Sequence, residues 1–294
     1  MNRKNPFILL LISLLLLTAC QPSNVISAPE LTELPIETAT FVPPTLTPTA
    51  TMTPEPTHTP TITSTPTPAV MTIAAGAVEV PILMYHHVIE KSGYSLYNIL
   101  PEVFDQQMAW LHENGYQTIN VSDLARLIRE GGEIPLKPVI ITIDDGNQDI
   151  YDNAFPILEK YGFSATFYVV TTYVGGKDMV TAEQLIDLHN KGWEIGVHSY
   201  THEDLTAADV DLNREIGFAK SEMERKLGFP VNTFAYPFGQ INPRVVQKTY
   251  EAGFSSAVGL GSSIIHDKDT IYYLSRIEVS SQMSFDAFTA VFQR

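Results

Sequence analysis

From residue 78 to the end of this 294-residue chain, short runs of β-branched and aromatic residues take turns with stretches of helical periodicity, and few folds accept that alternation. The spacing predicts strands over 78–85, 139–143, 165–170, 194–197, 232–235, 255–258 and 271–279. It predicts helices over 102–114, 122–129, 150–160, 182–191, 209–227, 244–252 and 285–292. The run Val-Ile-Ile-Thr-Ile at 139–143 is apolar almost throughout, as expected of a strand covered on both faces. Repeated strand–helix units predict an α/β fold with a largely parallel sheet, closed into a barrel or left open. In either case the chemistry belongs at the carboxyl ends of the strands.

The first 78 residues read differently. Arg3 and Lys4 precede an apolar run over 7–17 broken only by Ser13, and Leu17-Thr18-Ala19-Cys20 follows. This is the order of a secretory signal, and the run is too short for a membrane span. The tetrad resembles the bacterial lipoprotein processing site, which implies cleavage before Cys20 and lipid attachment to its sulfur. Cys20 is the single cysteine, so no disulfide framework can form within the chain. Residues 38–68 hold 13 Thr and 8 Pro, and no Lys or Arg occurs between Lys4 and Lys91. Such a segment buries too little to offset its ordering entropy, and its prolines favour an extended spacer. The expected organisation is a lipoprotein signal peptide over 1–20, a disordered linker over 21–78 and a single globular domain over 79–294. The protein is then exported and held at the outer face of the cell membrane or in the envelope, with the membrane as a partner through the lipid. A formal net charge of −15 repels phosphate backbones, so nucleic acid is excluded as a partner.

Four strand exits carry reactive groups. His86 and His87 follow Tyr85; Asp144, Asp145 and Gly146 follow Ile143; His198 follows Val197, with His202 four residues on; Tyr236, Pro237, Phe238 and Gly239 follow Ala235. At a strand end Gly146 lets the chain turn, so both carboxylates can face one cleft. Two such carboxylates repel unless a cation stands between them, although Asp and Gly also serve as plain turn residues. The i, i+4 spacing of His198 and His202 puts two imidazoles on one face of a helical turn. With one carboxylate they make three metal ligands and leave a coordination position open, although two independent histidines fit that spacing too.

Thr142-Ile143-Asp144-Asp145-Gly146 resembles the Thr-Phe-Asp-Asp-Gly signature of the NodB-like polysaccharide deacetylases, carbohydrate esterase family four. His198-Ser199-Tyr200-Thr201-His202 is similar to the family's His-Ser/Thr-x-x-His signature, and 234–239 to its third. The resemblance covers 80–294 and implies a distorted, incomplete (β/α) barrel. It implies metal ligation, usually of zinc, by Asp145, His198 and His202, and Asp144 as general base. It places Tyr236, Pro237 and Phe238 at the substrate and oxyanion, with the Tyr236 backbone N–H as donor. Two positions depart from the pattern. Ala235 stands where many members carry an Arg that orients the base, and Leu274-Ser275-Arg276 ends in Arg where many carry the acid His. Residues 82–86, Ile-Leu-Met-Tyr-His, resemble instead the branch that deacetylates poly-N-acetylglucosamine exopolysaccharide, which implies His86 as general acid, with His87 as its alternative. Arg276 is a candidate to replace the missing Arg.

The activity so implied is removal of N-acetyl groups from an N-acetylglucosamine-containing polysaccharide, with release of acetate. Exopolysaccharide, peptidoglycan and chitin-like oligomers all remain open as substrates. An inactive carbohydrate-binding protein on the same fold and a metal hydrolase of a small amide are the competing readings.

Overall fold

A computed structural model describes residues 69–90 and 95–293. The signal segment over 1–20 with Cys20, and the part of the expected linker before residue 69, lie outside the described residues. Among those residues no helix is long and apolar enough to cross a membrane.

The described chain opens with strand β1 (Val70–Ile73), inside the stretch expected to be linker. It is followed by β2 (Val78–Glu79), β3 (Ile82–Tyr85), β4 (His87–Val88), β5 (Asn98–Ile99), α1 (Pro101–Glu113), β6 (Gln117–Thr118), α2 (Val121–Glu130), β7 (Gly132–Pro135) and β8 (Pro138–Ile143). A π-helical turn (Ile150–Ala154), α3 (Phe155–Lys160), β9 (Thr166–Val169), α4 (Ala182–Asn190), β10 (Glu194–Val197), a second π-helical turn (Asn213–Phe218) and α5 (Ala219–Leu227) come next. The chain ends through β11 (Thr233–Ala235), α6 (Pro243–Glu251), β12 (Ser256–Val258), β13 (Ile265–His266), β14 (Ile277–Glu278) and α7 (Phe285–Ala290).

The main sheet runs β12-β11-β10-β9-β8-β3-β14, with β6 added at the amino end of β8, and every pairing in it is parallel. All six residues of β8 are buried, which is why its sequence shows no alternation. The helices cover the sheet with apolar stripes: in α2, Val121, Leu124, Ala125, Leu127 and Ile128 are buried, the i, i+3, i+4, i+7 pattern of one face. Caps fix where helices start. Thr181 accepts from the Gln184 N–H and the Gln184 side chain returns a bond to Thr181. Between the edge strands β12 and β14 regular pairing fails, and Val258 meets Leu274 through a single parallel bridge. The result is the distorted, incomplete (β/α) barrel that the sequence resemblance implies.

Four expectations need correction. The strand over 78–85 is two strands: Pro81 has no N–H for the ladder, and β2 turns away to pair antiparallel with β13. The helices over 150–160 and 209–227 each begin as a π-helical turn, the second of them only at Asn213. Of 271–279 only Ile277–Glu278 is strand, because a turn closed by Tyr273 N–H to Thr270 O at 2.7 Å occupies its start. Ordered chain reaches back to Val70 within the stretch expected to be linker, where β1 pairs antiparallel with Gly132–Pro135. Backbone pairing holds β1, whose side chains are mostly exposed, so its sequence carries no burial pattern to read.

Candidate active site

The Asp144 N–H donates to Tyr85 O at 3.0 Å, so Asp144 still continues the β8 ladder. The turn follows at once. Asp145 has φ 80° and Gly146 φ 97°, so the left-handed step begins one residue before the glycine expected to make it. A Cβ at Gly146 would stand 2.7 Å from Val169 Cγ1, so the position also requires close backbone approach. Asp144 is 2% exposed and faces Arg276, itself 1% exposed. The guanidinium forks onto the carboxylate: Nη1 donates to Oδ1 at 2.7 Å and Nη2 to Oδ2 at 2.8 Å. Nε of Arg276 donates to Gly259 O at 2.9 Å, which fixes the plane of the fork. Burial pushes the Asp144 carboxyl up, but the Arg276 charge, with help from His198 and His86, outweighs it and brings the pKa to about 2. Arg276, immediately before β14, thus holds the Asp144 carboxylate although Ala235 carries no Arg.

His198 and His202 do not lie on a helical turn. Residues 198–202 form a loop in which Ser199 (φ 63°) and His202 (φ 65°) are left-handed. The His202 N–H donates to Ser199 Oγ at 2.8 Å, closing the loop. His198 Nδ1 lies 2.9 Å from Ala235 O, an acceptor that assigns the proton to Nδ1 and leaves a lone pair on Nε2. Burial pushes the His198 pKa down, against the pull of Asp144 and Asp145, which favours the neutral ring. Nε2 of His198 and Nε2 of His202 each stand 3.6 Å from Asp145 Oδ1. The three candidate ligand atoms all lie within 4.8 Å of one another. Donors bound at about 2.0–2.2 Å in a tetrahedron stand roughly 3.3–3.6 Å apart, so the set fits a divalent ion of zinc size. Lone pairs that face one another across such a gap repel until a cation or proton separates them.

His86 and His87 part company. His86 lines the cavity with its ring 4.4 Å from that of Tyr97, and burial pushes its pKa down while Asp144 and Asp145 pull it up. His87 turns to Asp149, whose Oδ1 lies 2.9 Å from Nδ1 and whose Oδ2 accepts from the Val88 N–H at 2.7 Å. The hydrogen bond to Asp149 raises the His87 pKa, more than its partial burial lowers it. The pair's stabilisation is therefore complete below the unfolded value of 6.5 and is lost as pH rises through the higher folded value. The urea-midpoint difference between wild type and His87→Gln should shrink as pH is raised from about 5.5 to about 8.5; a constant difference would remove the ion pair from the account.

The expected oxyanion donor is corrected. The Tyr236 N–H donates to Val258 O at 3.2 Å, so the β11 ladder consumes it, and its hydroxyl bonds Tyr272 O at 2.9 Å. Pro237 is buried behind the wall and lacks an N–H. Phe238, left-handed at φ 58°, makes no backbone N–H bond within the described residues, lines the cavity, and sets its ring 4.8 Å from that of His202. Four of the five left-handed non-glycine residues described, Asp145, Ser199, His202 and Phe238, therefore lie at one site. Each such conformation costs on the order of 1–3 kcal/mol, and strain of this kind concentrates where function needs it.

The cavity is about 230 Å³ and is lined by Asp144, Asp145, His198, His202, His86 and Phe238, with Tyr97, Tyr236, Leu260, Arg276 and Glu278 among the rest. That is below the roughly 300–1,000 Å³ of sites that engulf a small molecule, as suits a cleft that admits one substituent of a larger one. A second cavity of about 200 Å³ at the amino end of the sheet, lined by Asn120, Trp193, Glu194 and Phe229, contains no group of three ligand side chains. Of the residues expected at the site, Pro237 and the alternative acid His87 lie off the cavity wall, and Cys20 lies outside the described residues. Sequence reasoning passed over Asp149 and Glu215. Glu215 is 2% exposed and accepts from the backbone of the 198–202 loop. In a helical stretch a Glu reads as solvated surface, and only the left-handed loop it serves gives it a purpose.

Comparison with known proteins bears on the family and the fold. The family model described as polysaccharide deacetylase matches residues 131–257. YxkH of Bacillus subtilis (strain 168), assigned by name to the polysaccharide deacetylases, is 30% identical over 213 residues, covering 72% of this chain and 75% of its own. The poly-beta-1,6-N-acetyl-D-glucosamine N-deacetylase of Staphylococcus aureus (strain MRSA252) is 24% identical, covering 67% of this chain and 72% of its own. The structure of the Streptococcus pyogenes deacetylase PplD in complex with acetate is 26% identical with a TM-score of 0.66, covering 73% of this chain and 98% of that one.

Proposed function

Because this chain belongs to the polysaccharide deacetylase family, we propose that it is a metal-dependent hydrolase that removes N-acetyl groups from an N-acetylglucosamine-containing polysaccharide in the cell envelope. The observation that carries this reading is the convergence of Asp145, His198 and His202 beside a separate, Arg-held carboxylate. A β-1,6-linked exopolysaccharide is the preferred polymer, supported by the name of the staphylococcal relative and by the early Tyr85-His86. The Leu-Thr-Ala-Cys tetrad supports lipid attachment at Cys20, and the Thr/Pro run supports a spacer between that anchor and the domain. In this reading 1–20 is the signal peptide, 21–78 holds the linker and 79–294 the catalytic domain.

Asp145, His198 and His202 would hold the ion, zinc by the chemistry of one carboxylate and two imidazoles. A divalent ion so held supplies Lewis acidity, which polarises the acetamide carbonyl and lowers the pKa of water. Asp144 takes the proton of the attacking water. The Arg276 fork keeps that carboxylate ionised and oriented for the task. Phe238, which lines the cavity and whose N–H has no backbone partner among the described residues, is the candidate donor to the acetamide oxygen as charge develops there. His86 gives a proton to the departing nitrogen, which otherwise would leave as an amide anion. The products are acetate and a free amine. Nε2 of His198, tautomer-locked by Ala235 O, takes no part in these proton transfers.

The test is acetate release from a panel of acetylated polymers, with a chelator and then zinc add-back. Release that stops with chelator and returns with zinc supports the reading; release indifferent to chelator, or none from any polymer, counts against it. Within an active protein, His86→Ala should lower the initial rate by about 10²–10⁴, while His87→Ala leaves it within a few-fold. The reverse order would transfer the acid role to His87.

A further inference from the structure

We infer that Glu215 is a positioning residue for the metal-ligand loop: from the second π-helical turn it fixes the backbone between His198 and His202, and so the distance between their Nε2 atoms. The inference rests on the reading of those histidines as ligands. Glu215 Oε2 accepts the Tyr200 N–H at 3.2 Å and the Thr201 N–H at 2.9 Å, while Oε1 accepts the Thr201 hydroxyl at 2.9 Å. Both oxygens are thus spent on the two loop residues that lie between the left-handed Ser199 and His202. The carboxylate is 2% exposed, and among the described residues no Lys or Arg lies within ion-pair distance of it. A buried carboxylate with no cation is costly unless its hydrogen bonds are needed where they fall.

They are needed because the loop is otherwise unstable in this shape. Two left-handed residues three apart are disfavoured, and the two intervening N–H groups find their acceptor in Glu215 and not in a strand. The loop's carbonyls are already anchored on the sheet side, where Thr171 and Thr172 N–H groups donate to Ser199 O and Tyr200 O, both at 3.1 Å. Glu215 supplies the opposite anchor. The backbone leading into His202 is therefore gripped from both sides, and it cannot shift without breaking bonds to Glu215 or to Thr171 and Thr172. A π-helical turn carries one more residue than an α-turn, and single turns of this kind recur at functional sites. Here the widened turn at Asn213–Phe218 brings Glu215 inward, while Phe218 in the same turn remains exposed.

The experiment titrates the full metal-free chain with Co(II), reading its visible absorption, and measures zinc affinity by chelator competition. Wild type should bind one equivalent. Glu215→Ala should bind about 10–100-fold more weakly with an altered Co(II) spectrum. Glu215→Gln keeps an acceptor for both N–H groups and a donor for the Thr201 hydroxyl, so it should stay within about threefold of wild type. If Glu215→Ala does not fold, Thr201→Val decides, with a shifted Co(II) spectrum expected. A folded Glu215→Ala or Thr201→Val protein with wild-type affinity and spectrum overturns the proposal, as does a glutamine variant as weak as alanine. A wild-type chain that binds neither metal overturns the metal reading itself, a separate failure.

Discussion

Replacement of Asp144 by asparagine is expected to yield a protein that still takes up one equivalent of zinc but releases acetate about 10²–10⁴ times more slowly. The amide keeps the shape of the carboxylate and one acceptor for the Arg276 fork, but it cannot accept the proton of water. Its NH₂ group also faces a guanidinium donor, so a lower melting temperature accompanies the loss. Replacement of His202 by alanine should give the converse: the carboxylate remains paired, and zinc content by elemental analysis falls to background. The two variants separate base from ligand, although the residues lie within one cavity. A near-normal rate in Asp144→Asn would end its assignment as base, and full zinc in His202→Ala would end that of the ligand.

Replacement of Arg276 by methionine should be nearly as damaging, for a different reason. Methionine fills much of the volume but leaves Asp144 buried with no fork. Breaking a buried pair on one side costs about 3–5 kcal/mol, because a charge is left uncompensated. The protein evades part of that cost by protonating Asp144. Burial pushes this carboxyl up and Arg276 is the chief opposing influence, so without it the pKa climbs from about 2. The acid limb of the pH–rate profile should therefore move to higher pH in Arg276→Met. Arg276→Lys keeps a charge without the two-pronged fit and should lie between the two. In wild type the depressed pKa stabilises the fold above the unfolded value of 3.8 and stops doing so as pH falls through about 2. Met and wild-type proteins with the same urea midpoint and the same acid limb would show the pair to be idle.

The sequence revealed this site as clearly as it did because a parallel sheet gathers its carboxyl ends. Once strands 139–143 and 194–197 are recognised, Asp144, Asp145 and His198 must lie near one another, whatever the intervening loops do. What strand periodicity cannot convey is backbone handedness. Asp145, Ser199, His202 and Phe238 are not glycines, so nothing in their identity announces φ values of 58–80°. The helical turn expected for His198–His202 failed for that reason, since an i, i+4 spacing fits a left-handed loop equally well. The Tyr236 N–H failed as a donor for another: β11 pairs one step further than its apolar run, up to Val258 O. Long-range partners are the least legible. Arg276 meets Asp144 across 132 positions, and only the irregular crossing of 271–276 beside β12 brings it there.

The β1–β7 ribbon has one mechanical consequence. Ala69 O accepts the Leu136 N–H at 3.1 Å, two residues before β8 begins, whereas Asp144 stands just past the end of that strand. Ala69 and β1 therefore sit at the pole of the barrel opposite the reactive cleft. Deleting residues 38–68, the Thr/Pro run, should therefore leave the turnover of a small soluble substrate unchanged.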